Sequence, residues 1–436
     1  MPYAVPKTPV SPNIRLGADG KYSLDGGINL SFQETALPYS QSPYLLNVNA
    51  DDRGTLKKRQ GQTYLDTSLG SGGVNGITVY KNKIIKAWST FLYSENLDGT
   101  SPVQIYSGLA NSKAFFFIFN GLLYMLNGTN YIQYDGTTVQ NVVPYIPQIT
   151  ISRKPDGSQS TLNEPMNLLT GQFIDSFSSD NTATYKLSFQ NLISIDEVKV
   201  NGSVVSTGIT LNTTAGTVVF TSAPATSSPN NVTIKATVSS NDKMQILNCT
   251  IGKEFSSRMF LTGNPNYPNK LWKTGLAGDF SNQANYFPAS GLSSFDSVSG
   301  VDQAMVNFVQ QYDKLIYLKE KSTFITYADV QSDGTTGFPI SYLNSNIGCD
   351  MPGSVQVINN NPVWCNTYGG LYMMVSTTVL GEKNIIQISA NINGLPERPG
   401  LLQETLTDLK NCSSFDDGKK YYLCVGSKVY VWDYSL

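Results

Sequence analysis

The sequence predicts an all-β fold, a six-bladed β-propeller closed by N- and C-terminal strands, with a small β-sandwich inserted between two blades. One hairpin pattern recurs six times and places two apolar residues seven positions apart across a tight turn. Its clearest copy, Phe116–Asp135, has Asn-Gly turns between three short apolar segments. Repetition of one small antiparallel unit is typical of propellers. The six pairs are Ile85 and Leu92, Tyr124 and Tyr131, Phe260 and Tyr267, Tyr317 and Phe324, Tyr372 and Val379, and Tyr422 and Val429.

Residues 1–25 are predicted to form an irregular N-terminal arm. Four prolines within the first twelve residues disfavour both a helix and a paired strand. The arm is either a flexible terminus or a segment that orders against a neighbouring subunit. No leader peptide is expected at Met1-Pro2-Tyr3, and the longest apolar run, Ala114–Leu126, is too short to span a bilayer. We therefore expect a protein that is made in the cytoplasm.

Residues 26–150 are expected to hold the closing strand and the first two blades. Strands are predicted at Tyr44–Asn49 and Thr55–Arg59, on either side of a turn at Asp51–Gly54. The first two copies of the hairpin pattern then follow one another as far as Val143.

Residues 151–243 are predicted to form an inserted, immunoglobulin-like β-sandwich. The segments EVKVNG, GTVVF and NVTIKATVS alternate apolar and polar residues, and Asn-Gly turns lie between such segments. These are the signs of short antiparallel strands. Inserted domains are tolerated at exposed loop tips, so the insert interrupts the series of blades without disturbing them.

Residues 244–436 are expected to form the last four blades. The sixth copy leaves room for three strands, whereas a propeller blade normally has four. We expect Thr55–Leu65 to supply the missing strand, because closure of this kind removes an exposed sheet edge. Short helices are predicted only at Asp302–Gln311 and Leu401–Leu409.

The composition argues against catalysis. The chain has no histidine, which excludes Ser-His-Asp and Cys-His catalysis and His-ligated metal sites. Acidic residues lie mostly in turns and not in the apolar inner segments, which disfavours a carboxylate glycosidase. We predict a protein that is not an enzyme and has no cofactor, catalytic residue or metal site. Five cysteines match no zinc or redox spacing and are expected to be buried free thiols: Cys249, Cys349, Cys365, Cys412 and Cys424.

The predicted surface suits contact with other proteins. Charged residues make up 14% of the chain, compared with about 25% in average soluble proteins. A net charge of -2 argues against electrostatic nucleic-acid binding by the whole chain. The 25 tyrosines offer contact area with few rotamers to lose.

One basic cluster, Lys57, Lys58 and Arg59, is a candidate contact for DNA in a channel or for a neighbouring subunit. On a strand, Lys57 and Arg59 would share one face, with Lys58 on the other. Lysines also protect solvated edge strands from unwanted pairing, so protection of an edge is an alternative role for these three residues.

The loop Gly263–Asn269 is a candidate interface loop. Two prolines restrict its backbone, and its three asparagines can hydrogen-bond locally. It is either a structural connection within a blade or a rigid knob at a subunit contact. The candidate residues are Asn264, Pro265, Asn266, Tyr267, Pro268 and Asn269.

Several stretches resemble the propeller-type tail proteins of tailed bacteriophages. The opening GGINLSFQETALPYSQSPYLLNVNADDRGTLKKRQGQTYL contains a similar Leu-x-x-Arg-x-Gly element, formed here by Leu56, Arg59 and Gly61. The insert carries motifs common in phage tail modules, and the segment after it resembles the corresponding blade. These stretches are Val200–Gly202, Gly216–Phe220, Ala223-Pro224 and SRMFLTGNPNYPNKLWKTGL.

The resemblance implies a structural virion protein of the nozzle or hub type found in short-tailed phages. Such proteins form a ring, usually sixfold, around the DNA exit channel of the tail, and they retain and release the genome. The implied partners are other copies of the chain in a homohexamer, an adaptor or portal-proximal ring, and a fibre or needle protein. Non-specific contact with viral DNA is implied, and contact with a membrane is not. The implied location is the virion tail.

The alternative is a lectin-like adhesin, a propeller that binds carbohydrate or a receptor. Such a module would expose Trp or Tyr at the same place in every repeat. The four tryptophans fall at differing positions within their repeats, which argues for core or interface roles: Trp88, Trp272, Trp364 and Trp432.

Overall fold

The computed structural model of the chain is all-β and of the β-propeller type. It describes residues 26–38, 40–50, 56–59, 61, 69, 72–239, 241–275, 283–291, 295–298, 303–332, 334–376 and 383–435. The predicted arm, 1–25, lies outside these residues. Contacts divide the chain into two compact units. The smaller consists of Met1–Tyr64, Val309–Ile325 and Ser341–Leu436, and the larger of Leu65–Phe308 and Thr326–Ile340.

Six successive antiparallel sheets, numbered 1 to 6 along the chain, follow the meander order of propeller blades. Sheet 1 contains Val74–Tyr80, Lys83–Trp88, Phe91–Glu95 and Val103–Ser107. Sheet 2 contains Phe115–Phe119, Leu122–Leu126, Tyr131–Tyr134 and Val139–Asn141. Sheet 3 contains Ile251–Phe255, Arg258–Thr262, Lys270–Lys273 and Phe295–Ser297. Sheet 4 contains Met305–Gln311, Lys314–Lys319, Thr323–Tyr327 and Ile340–Asn344. Sheet 5 contains Gln356–Ile358, Asn361–Asn366, Gly370–Ser376 and Lys383–Gln387. Sheet 6 contains Ser413–Asp416, Lys420–Val425 and Lys428–Asp433.

The first residues of the six predicted pairs fall one to a sheet. In sheet 2, for example, Tyr124 and Tyr131 lie on adjacent antiparallel strands. The prediction is less accurate in sheet 3, where Tyr267 lies in the turn before the strand Lys270–Lys273. Val379 falls outside the described residues. The number of blades in a closed ring stays a prediction.

Apolar side chains pack neighbouring sheets face to face within each unit. In the larger unit, sheets 1 and 2 share a core that contains Ile85, Leu92, Leu123, Met125 and Ile132. Sheets 2 and 3 share another, in which Tyr124, Leu126, Tyr131, Met259, Leu261 and Trp272 are buried. In the smaller unit, the shared core of sheets 5 and 6 contains Val363, Leu371, Tyr421, Leu423 and Val425.

The insert consists of two sheets around a core of its own, in which Phe173, Tyr185, Val218 and Val232 are completely buried. The larger sheet has the order Thr161–Leu162, Gln148–Arg153, Gln172–Phe177, Val232–Thr237, Ser194–Val200 and Ser203–Val204. The smaller sheet has the order Thr184–Lys186, Thr217–Phe220 and Ile209–Asn212. The strands thus run from Gln148 to Thr237, and the domain boundaries at 26, 151 and 244 stay predictions.

The turns explain why these hairpins form. Asn120 and Gly121 have φ values of 46° and 74°, and Asn201 and Gly202 have 51° and 79°. Two successive positive φ values are typical of the type I′ turn, whose twist matches that of the flanking strands. The turn at Asn127 is different, since Asn127 does not have a positive φ. Its side-chain oxygen accepts hydrogen bonds from the backbone N–H groups of Thr129 and Asn130.

Sheet 6 has three strands among the described residues. Leu56–Lys58, within the predicted closing segment, pairs antiparallel with Val48–Ala50, and the predicted turn Asp51–Gly54 lies outside the described residues. Residues 60 and 62–68 lie outside the described part, so closure by Thr55–Leu65 stays a prediction. Upstream, the start of the described chain is joined to the segment before sheet 6, because Leu30 N donates to Asn391 O at 2.7 Å.

Of the two predicted helices, Asp302–Gln311 is wrong and Leu401–Leu409 is nearly correct. Met305–Gln311 is a strand, since its aromatic and β-branched residues fit a sheet that is buried on both faces. The second prediction corresponds to a 3₁₀ turn, Leu401–Gln403, and an α-helix, Leu406–Lys410, whose N-cap Thr405 accepts from Asp408 N.

The remaining elements are short. They are the 3₁₀ turns Glu34–Ala36, Asn241–Lys243, Gln283–Asn285, Pro352–Ser354 and Ala390–Ile392, the helix Met244–Leu247, and two small ladders, Asp329–Val330 with Thr336–Gly337 and Gly394–Leu395 with Arg398–Pro399. Within the described ranges, no helix has the length and apolar character needed to cross a membrane.

Candidate interface surfaces

The predicted interface loop is built on a buried asparagine. Asn264 is only 1% exposed, and its Nδ2 donates to the carbonyl oxygens of Met244 at 3.1 Å and Gln245 at 2.9 Å. Its Oδ1 accepts from the backbone N–H of Asn266 at 2.9 Å. One side chain therefore ties the loop to the helix Met244–Leu247 and also fixes the turn above it.

The tip of the loop projects into solvent. Pro265, Asn266, Tyr267 and Pro268 are all exposed, and none of them carries a charge. The Tyr267 ring stacks edge-on against buried Trp272, with 6.0 Å between ring centroids. Lys270 Nζ lies 4.7 Å from the centre of the Tyr267 ring, within cation–π range. The tip thus presents an aromatic side chain in a fixed position.

Both ends of the loop are held by hydrogen bonds. Gly263, at φ 78°, accepts from Thr250 Oγ1 through its carbonyl oxygen. The carbonyl oxygens of Pro268 and Asn269 accept from Met305 N at 2.7 Å and Val298 N at 2.9 Å. We call the segment Gly263–Asn269 the knob, because it is a rigid projection with a buried base.

A cleft is lined in part by Leu247, the last residue of the helix that holds the knob. Its volume is about 330 Å³, and no charged side chain lines it. The lining residues are Thr129, Asn130, Tyr131, Asn141, Val142, Pro144, Leu169 and Leu247. The first two residues of this helix bind Asn264 and its last residue lines the cleft, so the knob and the cleft both contact one element. Sequence reasoning missed the cleft, because its walls come from separate stretches of the chain.

The basic cluster lies on the strand Leu56–Lys58 of the smaller unit and on the residue that follows it. Lys57 is paired with Asn49 and Lys58 with Val48, and Arg59 N donates to Asn47 O at 2.8 Å. All three basic residues are exposed, so the alternation of the strand buries neither face. The cluster belongs to the smaller unit and the knob to the larger one.

Two acidic turn residues, Asp135 and Asp417, have a lowered pKa. Backbone N–H groups of Thr138 and Thr137 donate to Asp135 and hold the pKa of its carboxyl below the usual value. Lys419 N and Lys420 N lower the pKa of Asp417 in the same way. A glycosidase general acid needs a raised pKa, so these carboxyls are suited to stabilising turns.

The cysteines and tryptophans serve mainly in the cores. Burial raises the pKa of the Cys249 and Cys365 thiols well above the usual value and that of Cys349 to about 12. Cys412 is also buried, and Cys424 is half-buried. Trp272 and Trp364 are fully buried. No group of three or more metal-ligating side chains occurs in the portion of the chain that the structure covers.

No protein-family model matches the chain, and no curated protein matches it. Among solved structures, the extracellular domain of BT4673 from B. thetaiotaomicron is 13% identical, with a TM-score of 0.31. The match covers 83% of this chain and 38% of that one, so the chain spans under half of that structure's length.

Two shorter proteins match over most of their own length. Kluyveromyces lactis Hsv2 is 8% identical over 81% of this chain and 90% of its own, with a TM-score of 0.27. The AfRom2 CNH domain is 8% identical over 83% of this chain and 95% of its own, with a TM-score of 0.28. Our assignment of the fold rests on the sheet topology and not on these weak likenesses.

Proposed function

We propose that the chain is a structural subunit of a ring in a phage tail, of the nozzle or hub type, around the DNA exit channel. The observation that carries the proposal is the knob, a rigid and uncharged projection whose base is fixed by Asn264. The likeness of the opening segment and of the blade after the insert to phage tail proteins supports the same role.

A ring of identical chains needs a contact that joins two different surfaces and repeats by rotation. The knob supplies one such surface. Its tip is neutral, its exposed aromatic ring is held in place, and little conformational entropy is lost when it is covered. Tyrosine is also enriched at the energetic centres of protein interfaces. The knob of one subunit therefore packs against a different surface of the next.

The exposed cluster of Lys57, Lys58 and Arg59 has the second role in this proposal. Exposed basic side chains attract DNA phosphates without reading sequence. With a net charge of -2 over the chain, such contact stays local. A conduit that lets the genome pass needs this weak and non-specific contact with DNA. An adaptor ring and a fibre or needle protein are the further partners.

The test compares ring assembly of the wild type with that of Tyr267→Ala, by native mass spectrometry and negative-stain imaging. Tyr267→Ala removes the exposed ring and leaves the buried base intact. The matched control is Tyr44→Ala, which removes a tyrosine that is 74% exposed and belongs to the other unit. We expect Tyr267→Ala to abolish the ring and Tyr44→Ala to keep it. Intact rings in both variants would reject the knob as the ring contact.

A further inference from the structure

One edge of the smaller sheet in the insert is free. Its strand Ile209–Asn212 pairs with Thr217–Phe220 on one side only. Thr221 N donates to Gly208 O at 2.8 Å, and bonded pairs alternate along an antiparallel ladder. The N–H and C=O groups of Ile209 and Leu211 therefore point away from the sheet. Among the described residues, no backbone group covers them.

The opposite edge of the same sheet is covered. Lys186 N, on the strand Thr184–Lys186, donates to Pro155 O at 2.8 Å. Arg153 Nε donates to the carbonyl oxygen of Lys186 at 3.0 Å. The chain thus protects one edge of this three-stranded sheet with its own atoms and leaves the other edge open.

The open edge has none of the usual devices against pairing. Natural edge strands are protected by lysines, prolines, bulges or inward-pointing charges. No Asp, Glu, Lys or Arg occurs anywhere in residues 200–234, and the register of Ile209–Asn212 with its neighbour has no bulge. Leu211 is 46% exposed, and Ile209, on the same face of the strand, is partly exposed. An edge of this kind favours the addition of another strand.

We propose that Ile209–Asn212 pairs antiparallel with the same strand of a second copy, across a two-fold axis at Thr210. Ile209 and Leu211, whose backbone N–H and C=O groups point away from the sheet, lie symmetrically on either side of Thr210. Ile209 would exchange N–H and C=O bonds with the partner's Leu211, and Leu211 with the partner's Ile209. Each Leu211 side chain would then cover the partner's Ile209, and because the strand is uncharged, self-pairing brings no like charges together.

This contact joins identical surfaces, so it is distinct from the ring contact proposed for the knob and goes beyond that function. In the proposed register the two Thr210 residues form a non-bonded pair, with Cα atoms about 4.5 Å apart. Their side chains point to the exposed face of the sheet, since Thr210 is itself exposed. Charges placed at Thr210 therefore test the register with little effect on the fold of one chain.

The experiment measures the dimer dissociation constant of the full chain by sedimentation velocity, for the wild type, Thr210→Lys, Thr210→Glu and an equal mixture of the two variants. We expect each variant alone to weaken the dimer about fivefold or more, because like charges meet directly across the strands. The mixture should dimerise at least as well as the wild type. The matched control is Thr184→Lys, which is also exposed but lies on the covered edge, and it should leave the dimer unchanged.

Two results would overturn the proposal. One is a wild-type chain that shows no two-fold association through this strand at any soluble concentration. The other is a pair of charged variants that each dimerise as tightly as the wild type. In the second case, association that survives Thr210→Lys but is lost in Tyr267→Ala would belong to the knob and not to the strand.

Discussion

The backbone N–H of Tyr267 donates to the carbonyl oxygen of Asn264 at 3.1 Å, which joins a 37% exposed residue to a 1% exposed one. A protruding aromatic residue is thus fixed from within the fold. Rigid anchors of this kind lose little entropy on binding, which is the physical reason for assigning the ring contact to the knob.

Removal of the Asn264 side chain should destabilise the fold. Asn264→Ala leaves the carbonyl oxygens of Met244 and Gln245 without that donor and should lower the free energy of unfolding by about 1–3 kcal/mol. Urea denaturation measures the change. The matched control is Asn266→Ala, two residues away and exposed, with an expected change within about 0.5 kcal/mol. Equal losses in both variants would contradict the role of Asn264.

The buried ion pair in sheet 1 should be strongly coupled. Lys86 Nζ lies 2.8 Å from Glu95 Oε2, and their side chains are 7% and 0% exposed. Lys86→Met leaves a buried carboxylate without this partner and should cost about 3–5 kcal/mol in urea unfolding. The double variant Lys86→Met/Glu95→Leu should recover most of the loss, since no isolated charge remains. A double variant as unstable as the single one would show that the pair is not coupled.

The thiols should differ in reactivity. A thiolate-specific reagent should modify Cys424 first, because it is half-buried while Cys249, Cys349, Cys365 and Cys412 are buried. Burial raises the pKa of Cys249, Cys349 and Cys365, so thiolate is scarce at these sites at neutral pH. Stopped-flow labelling with and without denaturant tests this. The fast phase should vanish in Cys424→Ser, and a fast phase that persists would locate the reactive thiol elsewhere.

The contribution of Asp135 to the free energy of unfolding should depend on pH. Backbone N–H donors from Thr138 and Thr137 hold its folded-state pKa below the ordinary value of an aspartate. The stabilisation is present above the unfolded pKa and is lost as the pH falls through the lower, folded pKa. The stability difference between the wild type and Asp135→Asn, followed by urea unfolding from about pH 6 to about pH 3, should therefore shrink only at the acidic end. A difference that is constant with pH would contradict this account.

The sequence was sufficient to predict the hairpins, because alternation and Asn-Gly turns are local signals. Asn120-Gly121 is such a turn, and it joins two strands of sheet 2 as expected. The strand Met305–Gln311 was mistaken for a helix, since a strand buried on both faces lacks clear alternation. Its β-branched and aromatic residues were the available signal.

The base of the knob was only partly predictable. The prolines and asparagines of the loop indicate rigidity, but the partners of Asn264 lie about twenty residues upstream in the helix Met244–Leu247. The cleft and the ion pair of Lys86 with Glu95 depend on tertiary contacts, and local patterns do not encode these. Charged residues are rarely buried, so a sequence pattern alone favours an exposed Lys86.

The proposed ring in a phage tail can be tested by native mass spectrometry with negative-stain imaging of the purified protein, alone and with the neighbouring tail proteins. We expect a closed ring, sixfold by the resemblance, with a pore wide enough for duplex DNA, formed by the chain alone or on its adaptor. A persistent monomer that ignores the tail proteins and binds glycans would contradict it and favour a lectin-like module.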